Sequence, residues 1–212
     1  MFDFFSNHIS DSIVIISNFI TIVSIFITVK SIQSAKKNER RLKTINWDEL
    51  VIAMNKLCKR MKKDKFLPDV IIAPSARGAI LAELLLQSLS HSREIPVYTG
   101  ISLIYEKPKK VDISGYTKIN NLKNWDIFIP NIAFKVENSK KILIVDDFTI
   151  AGTFPEKLKD LFSTKGFDKK NVKTMYTIIT DATKNSNREP DYYYKIINTS
   201  EYYFPWGEAN TG

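Results

Sequence analysis

The chain reads as an α/β protein: a mostly parallel open sheet flanked by helices, preceded by one transmembrane helix. Three observations predict this. Short apolar runs alternate with amphipathic or apolar helical stretches, the pattern of consecutive strand–helix units. Two of those runs end in loops of small or acidic residues, where open parallel sheets carry their ligands. Ahead of them, residues 12–29 form an uncharged apolar run.

That run, "SIVIISNFITIVSIFITV", has 18 residues, about 27 Å as a helix against roughly 30 Å for a bilayer core. Six of its residues are Ser, Thr or Asn, which a helix tolerates by bonding them to its own carbonyls. Asp3 and Asp11, with no Lys or Arg before Lys30, argue against a cleaved signal peptide. Lys30, Lys36, Lys37, Arg40, Arg41 and Lys43 all follow the run. The positive-inside rule then predicts a single-pass protein of the membrane with its C-terminal domain cytoplasmic and the lipid bilayer as a partner. The expected organisation is a transmembrane segment over 1–30, a basic stalk over 31–45 and a folded domain over 46–212.

Within the domain, Asn46 and Glu49 make a capping-box pattern. Trp47, Leu50, Val51, Met54, Leu57 and Met61 then recur at helical spacing, predicting an amphipathic helix from Trp47 to about Lys62. Val70 to Ala73 reads as a strand, followed by a small-residue turn with Arg77 and Gly78 and an apolar helix to about Leu89. "IPVYTGISLIY" reads as a second strand, and the polar, Lys-rich stretch from Tyr105 to Asn131 as a long loop. Lys141 to Val145 is a third strand and "VKTMYTIIT" a fourth. Between them, Thr153 and Glu156 form a second capping-box pattern, Pro155 suits a first helical turn, and Gly166 suits the helix end. No internal repeat is present.

Lys and Arg outnumber Asp and Glu 31 to 23, a net charge of +8, which attracts phosphates, nucleic acid or anionic lipid without choosing among them. One Cys and two His exclude a disulfide framework and a structural zinc cluster. Cys58, among Val51, Met54, Leu57 and Met61, reads as a small core residue.

The most informative stretch is "KKILIVDDFTIAGTF", Lys140 to Phe154. Asp146 and Asp147 end a strand, and Ala151, Gly152 and Thr153 let backbone amides approach an anion at the start of a helix. Carboxylates beside a phosphate site suit sugar hydroxyls and Mg²⁺ rather than the phosphate itself. A phosphorylated sugar is the ligand so described.

These residues resemble the type I phosphoribosyltransferase family, whose signature is an apolar strand, two acidic residues and a Thr/Gly-rich loop holding phosphoribosyl pyrophosphate. The resemblance covers roughly Trp47 to Glu208. It implies a type I phosphoribosyltransferase-like fold in which Asp146 and Asp147 hold the ribose hydroxyls and the Mg²⁺, and Ile150, Ala151, Gly152 and Thr153 wrap the 5′-phosphate. It gives Ser75, Ala76, Arg77 and Gly78 of "APSARGA" the pyrophosphate, with Arg77 as its cation. The C-terminal stretch "PDYYYKIINTSEYYFPWGEA" resembles the hood of xanthine-guanine-type members. This implies a hood over about 181–212, with Lys184, Phe204 and Trp206 near the base. Homo-oligomerisation is also expected.

Three residues depart from the family pattern. Ile150 stands where members acting on 6-oxopurines carry Asp, Phe154 where many have a hydroxyl, and Glu201 where the base-stacking aromatic falls. The implied activity is a membrane-anchored pentosyltransferase that moves ribose 5-phosphate from phosphoribosyl pyrophosphate to a purine-like base. Its rival is a non-catalytic phosphoribosyl pyrophosphate or nucleotide sensor at the membrane, in a defence or stress system. Nucleic-acid binding by the basic surface is the weaker third reading.

Overall fold

The computed structural model describes residues 21–35, 43–89, 94–104, 112–122, 125–199 and 201–208. The chain divides into two units, Met1–Thr44 and Ile45–Gly212.

In the first unit residues 21–35 form a helix, α1, whose Ile22, Ile25, Phe26, Ile27 and Ile32 are exposed. The expected transmembrane helix is not borne out: among the described residues no helix is long and apolar enough to cross a membrane. The described part of α1 spans only about 22 Å at the usual rise. Residues 12–20 of the predicted span lie outside the described residues.

The second unit begins at Ile45, which is buried and donates its amide to the Tyr203 carbonyl at 3.0 Å. Helix α2 (Trp47–Lys63) starts as predicted, with the Asn46 side chain accepting from the Glu49 amide at 2.8 Å. Its buried face is Leu50, Ala53, Met54, Leu57, Cys58 and Met61. Trp47 and Val51, predicted on that face, are about half exposed. The inward stripe runs through Ala53 and Cys58 instead, so hydrophobicity alone misjudged where the small side chains permit contact.

Strand β1 (Val70–Ala73) leads into α3 (Ala76–Ser88), and β2 (Val97–Thr99) pairs with β1 in parallel. The predicted single second strand is in fact two. At Gly100, whose amide donates to the Ala73 carbonyl at 2.7 Å, the chain leaves the first sheet and continues as β3 (Ile101–Ile104) in another.

The predicted long loop is corrected as well. It contains β4 (Tyr116–Leu122) and β5 (Trp125–Pro130), which join β3 in an antiparallel sheet of order β3-β5-β4. Ile119, Ile127 and Ile129 are buried there. Three apolar positions in a Lys-rich context were too few to outweigh its polarity.

Strand β6 (Ile142–Thr149), helix α4 (Thr153–Thr164), strand β7 (Val172–Thr180), helix α5 (Asp181–Asn185) and strand β8 (Tyr192–Ile197) complete the main sheet. Its order is β2-β1-β6-β7-β8, with every neighbouring pair parallel. A short hairpin, β9 (Tyr203–Phe204) with β10 (Gly207–Glu208), follows.

Buried on both faces, β1 and β6 are runs of Val, Ile and Leu, as parallel sheets covered by helices require. One core joins Leu143, Val145 and Met175 to α2, α3 and Phe204. The other joins Ile72, Ile142 and Ile144 to Phe154, Leu158 and Phe162 of α4 and to Ile127 and Ile129 of β5. The sheet is thereby fixed from both sides, with the carboxyl ends of β1, β6 and β7 at one edge.

Candidate functional site

β6 is the middle strand of five, and the acidic pair, expected to end the strand, lies within it, followed by Phe148 and Thr149 before the strand stops. Asp146 and Asp147 are 5% and 6% exposed, so two carboxylates are held side by side almost out of water. Asp146 Oδ1 accepts a 2.7 Å hydrogen bond from the Ser75 hydroxyl. The Ser75 oxygen in turn accepts from the Gly78 amide at 3.0 Å as the cap of α3. One side chain thus starts the helix and anchors the carboxylate.

The predicted turn over Ser75 to Gly78 is therefore the cap and first turn of α3, so that the helix begins against the pair. A Cβ added at Gly78 would lie 2.4 Å from the Val145 carbonyl oxygen, which explains why the approach uses glycine. Arg77 Nη1 is 3.7 Å from Asp147 Oδ2. The same oxygen accepts from the Trp206 indole N–H at 3.1 Å.

The electrostatics follow from this burial. Desolvation, then the negative charge of Asp147, pushes the Asp146 carboxyl up to about 7. Burial also raises Asp147, opposed first by Arg77 and next by the Trp206 hydrogen bond. Near neutral pH the buried pair therefore tends to retain a proton, and an incoming cation or hydroxyl donor would favour its ionised form.

Beyond the pair, Gly152 sits in the left-handed region at φ 68 and precedes α4. The predicted cap at Thr153 is not formed, because that residue is already helical and Gly152 makes the turn. Phe154, in place of a hydroxyl residue, is buried in the core against α4's own apolar face. Ile150 is half-buried and Ala151 exposed.

The hood residues separate. Trp206 reaches Asp147, Phe204 is buried and stacks on Trp206 at 5.1 Å with planes 9° apart, and Lys184 lies exposed in the last turn of α5. Trp47 meets the same indole edge-on at 5.8 Å. Glu201 is exposed, its amide donating to the Thr199 hydroxyl.

Sequence reasoning missed the floor of the site. Tyr176 lies opposite Asp146 in the β6–β7 register, and the register then resumes at Phe148–Ile178. The hydroxyls of Tyr176 and Thr177 are buried without a hydrogen-bond partner. Burial, then the charges of Asp146 and Asp147, raises Tyr176 well above the usual phenol range. The polar residues inside "TMYTIIT" were the available signal.

No group of three or more His, Cys, Asp or Glu side chains is placed to hold a metal ion among the described residues. The donor set is nonetheless suited to Mg²⁺, which takes one or two carboxylates and completes its shell with substrate oxygens and water.

No protein-family model and no curated protein sequence matches the chain. Solved structures do. A purine phosphoribosyltransferase from Pyrococcus horikoshii Ot3 is similar at a TM-score of 0.53 and 22% identity, over 80% of this chain and 98% of that one. The Helicobacter pylori xanthine-guanine-hypoxanthine phosphoribosyltransferase is similar at 0.51 and 15% identity, over 77% and 90%. A hypothetical protein from Neisseria gonorrhoeae with bound ppGpp is similar at 0.51 and 18% identity, over 77% and 89%. Together with the five-stranded parallel sheet and its helices, these likenesses establish for this chain the fold of the type I phosphoribosyltransferases.

Proposed function

We propose that the chain binds phosphoribosyl pyrophosphate at the carboxyl end of β6 and transfers ribose 5-phosphate to a purine-like base. The observation that carries this reading is the buried pair Asp146 and Asp147, set between the start of α3 and the loop leading to α4. Both carboxylates accept hydroxyl hydrogens, so the pair holds the ribose diol, while Ile150 to Thr153 receive the 5′-phosphate. Bond breaking at the anomeric carbon leaves a cationic ribose, which the nearby carboxylates stabilise electrostatically. Arg77 and the amides of Ala76 and Arg77 meet the departing pyrophosphate. Bound Mg²⁺ would neutralise pyrophosphate charge and would be held by Asp146 and Asp147.

Calorimetry with phosphoribosyl pyrophosphate, followed by an assay of pyrophosphate release over a panel of bases, tests the reading. Asp147→Asn is expected to lower turnover by about a hundredfold or more, as loss of one transition-state-stabilising group does. Full activity in that variant rules out the assignment.

A sensor without turnover is the second reading. Ile150 cannot move a proton, and Trp206 and Arg77 already engage Asp147. The ppGpp-bound neighbour lends support to guanine nucleotides as its ligands. Tight binding of phosphoribosyl pyrophosphate with no pyrophosphate release in the presence of any base decides for the sensor.

The exposed apolar side chains of α1 and the basic residues after it support attachment of the chain to an anionic bilayer surface. Co-flotation with phosphatidylserine vesicles, lost on deleting residues 1–44, tests that placement.

A further inference from the structure

We propose that Thr180 and Thr183, at the corner between β7 and α5, are positioning residues that hold the loop after the acidic pair in its phosphate-receiving orientation. The inference rests on the function proposed above and concerns residues that contact no ligand in it.

Both threonines are buried, at 4% and 0% exposure. The Thr180 hydroxyl donates to the carbonyl of Ile150, and the Thr183 hydroxyl donates to the carbonyl of Thr149 at 3.3 Å. Two successive carbonyls, of the last residue of β6 and the first of the loop, are therefore turned toward the corner. A trans peptide sends its N–H opposite to its C=O, and no cis peptide bond occurs among the described residues. The amides of Ile150 and Ala151 consequently face away from the corner.

The loop cannot retreat from that arrangement. Gly152 is seated against the residues that follow α5, where an added Cβ would lie 2.4 Å from the Arg188 carbonyl oxygen, and its amide is held by the Thr149 hydroxyl at 3.2 Å. Thr180 also caps α5 through the Thr183 amide, so helix and loop share one support. In an ordinary core corner, valine would fill the same volume; the hydroxyls are what turn the carbonyls.

The experiment exchanges methyl for hydroxyl. Thr183→Val keeps the shape and loses the donor, whereas Thr183→Ser keeps the donor and loses a methyl. Calorimetry with phosphoribosyl pyrophosphate on the full chain, with thermal melts to confirm folding, is expected to show about a tenfold loss of affinity for Val, the equivalent of one hydrogen bond. Ser is expected to bind within about twofold of the native chain, since the bond is kept. A packing role predicts the reverse order, and wild-type affinity in the Val variant overturns the proposal. Should Thr183→Val not fold, Thr180→Val against Thr180→Ser carries the same comparison. A native chain that binds no phosphoribosyl pyrophosphate overturns the proposed function itself and this inference with it; binding unchanged across the variants overturns the inference alone.

Discussion

Trp206 donates its indole N–H to Asp147 at 3.1 Å, joining the C-terminal hairpin to the acidic pair. Because Asp147 is almost fully buried, that donor offsets part of its desolvation. Trp206→Phe should preserve the stack on Phe204 yet remove the donor, costing about 1–3 kcal/mol of stability near neutral pH. Urea denaturation measures this. Destabilisation that does not shrink at low pH, where the carboxyl is neutral, would contradict the electrostatic account.

The acidic pair should also make the fold less stable as pH rises. Asp146 has a folded value of about 7 against an ordinary 3.8, so between those limits the folded state holds a proton that the unfolded chain releases. Its contribution is complete below about pH 4 and is lost through pH 7. Asp146→Asn removes that slope and should stabilise the protein at neutral pH by a few kcal/mol, since each tenfold change in proton affinity is worth about 1.4 kcal/mol. Denaturation of both proteins from pH 4 to 8 reads the difference, and parallel curves would refute it.

Gly152→Ala should fold poorly. The substituted residue would keep a positive φ and press its Cβ into Arg188, with an expected loss of about 2–4 kcal/mol. A melting temperature within a degree of the native one would show that the loop can relax.

Cys58 should be inert in the folded chain. It is 2% exposed, its Sγ donates to the Ser88 carbonyl at 3.2 Å, and burial raises its thiol. A thiol reagent should modify it only at the rate of unfolding. Rapid labelling in native buffer would contradict that environment.

Much of the fold was legible because β1 and the first half of β6 are continuous apolar runs, β7 is rich in β-branched and apolar residues, and α2 announces itself through Asn46 and Glu49. The acidic pair was legible because two Asp residues directly after a run of four apolar strand residues have few structural uses. The antiparallel sheet was not: β4 reads "YTKINNL", and its place depends on β5 lying beside it, a relation no local pattern encodes. Nor was the support beneath the loop legible. Thr180 and Thr183 look like helix-start residues, and only the chain's return past Ile150 shows what their hydroxyls hold.

The bond from Ile45 to Tyr203 sets where tension enters the domain. Where the folded domain starts, the Ile45 amide ties the chain to β9, so a pull on the residues just before it is passed to that strand. The strand that receives it is two residues from Trp206. Mechanical load therefore arrives beside Asp147, and not on the remote side of the sheet.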